Sequence, residues 1–101
     1  MAETLKQEAK RLLADVPEEY VFRCRNGHIL RNLKELRDEF KTMPEENYTF
    51  HANPEKNDFT NWVRDIIKDE RLAKDLQKAP NQAQAARLVA SRMYVLSKRL
   101  A

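Results

Sequence analysis

The sequence contains one glycine, one cysteine, two histidines and two serines among 101 residues, and its longest apolar run is four residues, Met93-Tyr94-Val95-Leu96. Each scarcity excludes something. Glycine-rich phosphate loops need at least two glycines, so neither common nucleotide-binding fingerprint is present. A lone Cys24 leaves no intrachain disulfide framework and no cysteine-rich zinc site. The apolar runs fall far short of the about 20 residues that a membrane-spanning helix needs. The start, Met-Ala-Glu-Thr-Leu-Lys, lacks the basic-then-apolar order of a signal peptide. The expectation is a small cytoplasmic protein that does not enter a membrane.

What is present is charge and a modest apolar content. Charged residues make up 35% and apolar residues 42%, with a net charge of only +3. That balance suits one folded domain and is unlike the one-sign, low-hydrophobicity pattern of a disordered chain. The charge is unevenly placed. Residues 1–80 hold 15 basic and 16 acidic side chains, whereas residues 81–101 hold Arg87, Arg92, Lys98 and Arg99 and no acid. A second basic run, Arg23, Arg25, Arg31, Lys34 and Arg37, is opposed only by Glu35. Segregated basic clusters attract phosphate or an acidic protein surface, although solvated faces are also often charged.

The patterning predicts a mostly α (α+β) domain, with one β-hairpin at about 20–31 packed on five to six helices. Leu5, Ala9, Leu12 and Leu13 mark one face of a first helix, over 3–14, that reads as an extension (1–19) to a compact domain (20–101). Tyr20 to Leu30 reads as strand, turn, strand about Asn26-Gly27, the best two-residue hairpin turn. That register pairs Arg25 with His28, Cys24 with Ile29 and Arg23 with Leu30. Phe22, Cys24 and Ile29 then face the core, with Arg23, Arg25, His28 and Leu30 facing outward.

Asn32 and Glu35 form a capping box before a helix at 33–43, whose buried stripe is Leu33, Leu36, Phe40 and Met43. Pro44 opens a helical turn that should supply Tyr48 and Phe50 to the core, before a loop at 53–56. A strong helical period runs through Phe59, Trp62, Val63, Ile66 and Ile67. Asp69 caps a helix at 70–79, and Asn81 with Gln84 caps a last helix at 82–100, with Ala85, Leu88, Val89, Met93, Leu96 and Leu100 inward. On that helix Ala90, Tyr94 and Val95 lie off the stripe, which widens its apolar surface.

Candidate chemistry is sparse. Cys24, His28 and His51 are scattered over 28 residues, unlike the close ligand spacing of zinc sites. Cys24 is expected inside and His28 outside, and both serines lie in the last helix, so no nucleophile faces a base. No catalytic, cofactor-binding or metal-ligating residue is assigned. The segment containing His51, Asn53, Asn57, Asp58 and Trp62 gathers polar side chains about one aromatic. It reads either as a recognition loop at a helix N-terminus, where free N–H groups bind anions, or as capping residues that tie a loop down.

The order Gly27-x-x-Leu30-x-Asn32-Leu33-x-Glu35-Leu36, then His51-x-Asn53, then Asn57-Asp58-Phe59-x-x-Trp62-Val63-x-Asp65, then Asp69-x-x-Leu72-Ala73-x-x-Leu76 resembles a small domain family of unknown function. That family occurs mainly in archaea and some bacteria, alone or appended to larger proteins. The likeness covers roughly residues 20–100 and implies a fold unit and no reaction. The family often has Gly where this chain has Lys68, and Ser or Asp where it has Pro44. The first departure implies that the helices on either side of Lys68 join more continuously here.

Function is therefore expected to be non-catalytic: an interaction domain that binds a protein partner through the basic hairpin face (Arg23, Arg25, His28, Arg31, Lys34, Arg37) or the last helix (Arg87, Arg92, Lys98, Arg99). Nucleic-acid or ribosome association through the same residues is the alternative, an enzyme of unassigned reaction the third. Self-association through the last helix would also cover its wider apolar surface.

Overall fold

A computed structural model of the chain describes residues 2–101. Among these residues it contains six α-helices and two short antiparallel strand pairs, a mostly helical fold.

The first helix, α1 (Leu5–Leu13), begins two residues later than the expected 3–14, because Thr4 caps it. The Thr4 hydroxyl accepts the Gln7 N–H at 3.1 Å, and the Gln7 side chain accepts the Thr4 N–H at 2.9 Å, a reciprocal capping box. Ala9 and Leu12 are buried in the common core, but Leu5 is 65% exposed and does not join them. Glu8 of α1 pairs with Arg99 near the end of the last helix.

Strands β1 (Phe22–Arg23) and β2 (Ile29–Leu30) pair antiparallel, with Phe22 opposite Leu30 and Arg23 opposite Ile29. The expected register was displaced by one residue. The Gly27 N–H reaches the Cys24 carbonyl and the Cys24 N–H the His28 carbonyl, both at 2.9 Å. Arg25, Asn26 and Gly27 thus form a three-residue loop rather than a two-residue turn. Only Gly27 has positive φ, at 90°, which places it at the bulge that closes such loops. A one-residue slip exchanges faces. Leu30 is buried beside Phe22 and Cys24, and Ile29 is only half-buried opposite Arg23.

Helix α2 (Leu33–Thr42) starts where Asn32 accepts the Glu35 N–H at 2.8 Å. The Glu35 carboxylate reaches back past Asn32 to the Arg31 N–H at 2.7 Å, so the box closes one residue earlier than expected. Pro44 precedes α3 (Glu45–His51). The expected loop that follows is a second hairpin, β3 (Ala52–Asn53) with β4 (Lys56–Asn57). Asn57 then caps α4 (Asp58–Trp62), which widens into a π-helical turn over Val63–Ile67.

That wide turn ends at Lys68, the one described non-glycine residue with positive φ (70°). The chain breaks there instead of continuing, since the Asp69 N–H bonds back to the Val63 carbonyl at 3.0 Å. The smoother join implied by lysine in place of glycine is therefore not what forms. Packing of Val63 and Ile67, both buried, holds Lys68 in a conformation that a Cβ disfavours. Lys68→Gly should raise stability by about 1 kcal/mol, seen as a higher denaturant midpoint at unchanged slope.

Asp69 caps α5 (Glu70–Gln77), and Asn81 caps α6 (Gln82–Leu100). Ala85, Val89 and Leu96 of α6 pack against Leu33, Leu36 and Phe40 of α2 and against Ala9 and Leu12 of α1 in one core. Its aromatic half is centred on Phe59, whose ring lies 4.8 Å from Phe40, 5.0 Å from Phe22 and 5.8 Å from Tyr48. No helix among the described residues is long and apolar enough to cross a membrane.

Candidate functional site

The β1–β2 loop is joined to the base of the β3–β4 hairpin through His51. This histidine, which the sequence offers either as part of a recognition loop or as a capping residue, closes α3 and is 5% exposed, ringed by Phe22, Phe50 and Phe59. Its Nε2 accepts the Arg25 N–H at 3.1 Å. The lone pair therefore sits on Nε2, and Nδ1 carries the hydrogen that it donates to Asp58 Oδ2 at 3.0 Å. Lys56 Nζ donates to the same oxygen at 3.0 Å. Burial raises the Asp58 carboxyl, but the hydrogen bonds from His51 and Lys56 outweigh it and hold the group below the ordinary carboxylate range. These two bonds tie the β1–β2 loop backbone to Asp58 through one ring, so this His–Asp pair is a clamp.

Above the clamp lies Phe50. It was expected in the core but is 44% exposed. Tyr48 and His51 define the buried stripe of α3, and Phe50 sits two residues from Tyr48, about 200° around the helix. The Arg25 guanidinium and the Lys56 ammonium each lie 4.6 Å from the Phe50 ring centroid. Neither Phe50 nor Lys56 is among the binding candidates read from the sequence, and seven-residue α3 has too few apolar positions to signal which way Phe50 turns.

The other hairpin-side residues divide between bonded and free. Glu39 of α2, 7% exposed, lies under the β1–β2 loop and accepts hydrogen bonds from Asn26 Nδ2 at 3.0 Å and His28 Nδ1 at 2.9 Å. His28 is thus tied to the scaffold, although its side chain is 63% exposed. Arg31 lies 3.8 Å from Glu35, and Arg37 bonds Asp38 at 3.0 Å. Arg23, Arg25 and Lys34 are exposed and make no ion pair with any described residue. Cys24 is buried, which together with the nearby Glu39 charge pushes its thiol up to about 12, out of reach as a nucleophile at neutral pH.

The polar segment that follows is spent on folding. Asn53 accepts the N–H groups of Glu55 and Lys56, Asn57 accepts that of Thr60, and the Trp62 indole donates to the Tyr20 carbonyl at 2.8 Å. On α6 the basic residues separate. Arg92 is drawn inward to Asp69, 2.8 Å away, with its side chain 12% exposed and that of Asp69 1%, so it is not part of a surface cluster. Arg99 pairs with Glu8 at 2.9 Å. Arg87 and Lys98 remain on the outer face, the latter 5.2 Å from the exposed Tyr94 ring. Among the described residues no group of three or more His, Cys, Asp or Glu side chains is arranged to hold a metal ion.

Comparison of the chain with protein-family models, curated proteins and solved structures finds no match.

Proposed function

We propose that the domain is a non-catalytic interaction module that binds a protein partner through its hairpin side, with Arg23, Arg25 and Phe50 at the centre of the contact. The observation that carries this reading is the exposed Phe50 ring flanked by Arg25 and Lys56 on a rigid mount. Aromatic and arginine side chains supply most of the energy at protein interfaces, because they bury much area and lose little freedom. The mount supplies the second part. The His51 clamp joins the β1–β2 loop to the base of the β3–β4 hairpin, so Arg25 and Phe50 are already placed before a partner arrives and little ordering cost remains. Unpaired Arg23 and Arg25 favour an acidic partner surface.

An aromatic ring bracketed by cations also suits base stacking beside a phosphate chain, which keeps single-stranded nucleic acid as the second reading. One experiment separates the two: affinity capture from native lysate with and without nuclease, using the wild-type domain and its Arg25→Glu and Phe50→Ala variants. A nuclease-resistant partner lost by both variants is the expected result. Capture that disappears with nuclease, together with RNA binding that weakens steeply with salt, would replace the protein reading with the nucleic-acid one. Capture unchanged in both variants would overturn the hairpin surface altogether. Both side chains are exposed, so the variants should melt within a few degrees of the parent, about 0.5 kcal/mol or less in stability.

A further inference from the structure

A concavity lies apart from the hairpin surface. An open cleft of about 860 Å³ lies between α3 with the β3–β4 hairpin on one side and the α5–α6 connection on the other. Its size falls in the range of small-molecule sites, roughly 300–1,000 Å³. Phe40, Ala52, Pro80 and Ala86 line it with apolar surface.

Two kinds of polar group open into this cleft. Asn81, Gln82 and Ala83, the cap and first two residues of α6, lie on its wall. The Asn81 side chain takes the Gln84 N–H, which leaves the Gln82 and Ala83 N–H groups without a helical partner. No acidic residue occupies the first turn of this 19-residue helix, so its positive end is not neutralised from within. Independently, Tyr48 lines the same cleft at 7% exposure. Its hydroxyl makes no hydrogen bond with a described residue and, unlike the unpartnered Thr60 hydroxyl, is not fully buried. Burial raises the phenol above its ordinary value, so it stays a donor throughout the neutral range. Lys41 and Glu45 lie on the rim with opposite charges and leave the cleft without a net side-chain charge.

We infer that this cleft binds a small organic carboxylate with an apolar body, its anionic group on the first N–H groups of α6 and the Tyr48 hydroxyl, its body on Phe40, Ala52, Pro80 and Ala86. The inference goes beyond the interaction module and does not depend on it, since the hairpin surface uses none of these residues. Backbone N–H groups at a helix start receive an anion without a charged side chain, and a donor already shielded from water adds direction.

The test is titration of the labelled domain with benzoate, followed by amide chemical shifts, with benzamide and acetate as matched controls. Benzoate should shift the Gln82, Ala83 and Ala86 amides at millimolar concentration, benzamide should bind at least about 5-fold more weakly, and acetate should fail for want of a body. Tyr48→Phe should weaken benzoate by about 5-fold, the worth of one hydrogen bond. Ala83→Asp puts a carboxylate at the second helical position, so it should abolish benzoate binding while it raises the melting temperature. Opposite signs in these two readouts distinguish a filled anion site from a damaged fold. Equal affinity for benzamide, shifts scattered away from the cleft, or full binding by Ala83→Asp would each overturn the inference.

Discussion

Arg92→Met should destabilise the domain by about 3–5 kcal/mol, a large share of the roughly 5–15 kcal/mol that holds a typical domain. The cause is what the substitution leaves behind. Asp69 is buried, and its Oδ2 faces Arg92 Nε at 2.8 Å, while its Oδ1 takes the Leu72 N–H at 3.1 Å as the cap of α5. Without Arg92 an anion remains inside with one neutral partner. The methionine stem is itself well tolerated in such a position, so lost packing contributes little. A second substitution exposes this logic. Asp69→Asn keeps the cap and removes the charge, so the double variant Asp69→Asn/Arg92→Met should be more stable than Arg92→Met alone. Urea denaturation of the single and double variants decides it. A double variant no better than Arg92→Met would show that the pair acts through geometry and not through charge burial.

Phe59→Ala should cost a similar amount, about 3–5 kcal/mol, through lost burial and the cavity left behind. Phe59 is 1% exposed and touches four rings from three different elements: Phe22 of β1, Phe40 of α2, and Tyr48 and His51 of α3. No backbone shift of one element can refill a space bounded by three. Because His51 rests on this ring, the cavity also loosens the clamp that positions Arg25. The variant should therefore show faster amide exchange at Arg25 as well as a lower denaturant midpoint. A midpoint within about 1 kcal/mol of the parent would mean that the aromatic half of the core collapses around the gap.

The parts of this fold that are legible in the sequence are those decided within one turn. Asn32, Asn57, Asp69 and Asn81 each accept the N–H three residues ahead, a contact fixed by local spacing, and all four caps form as that spacing implies. The hairpin is legible as an element but not in register. Asn26-Gly27 serves a two-residue turn and a three-residue bulged loop alike, and the choice rests on whether Leu30 or Ile29 fills the space beside Phe22. Short α3 hides its orientation for a related reason. With seven residues it has too few apolar positions to define a face, so the packing of Phe59 against Tyr48 and His51 sets it and turns Phe50 outward. Buried charge is least legible. Glu39 and Asp69 sit inside only because His28 with Asn26, and Arg92, arrive from elements 11 to 23 residues away. The residues that form the proposed surface, Phe50 and Lys56 with Arg25, share that property: no sequence interval links them, only the approach of the β1–β2 loop to the α3 end and the second hairpin.

The wide turn at Val63–Ile67 acts as a length gauge for the second half of the chain. Its Lys68 N–H closes on Val63 five residues back, where an ordinary helix would close after four, so one more residue is stored in this turn than in a regular one. Were the same residues wound as a regular helix, the stored residue would be released and every side chain downstream would rotate by about 100°. Asp69 would then swing away from Arg92, and the buried pair would open although both residues were still present. The pair therefore depends on the wide turn keeping its extra residue, and not on Asp69 and Arg92 alone.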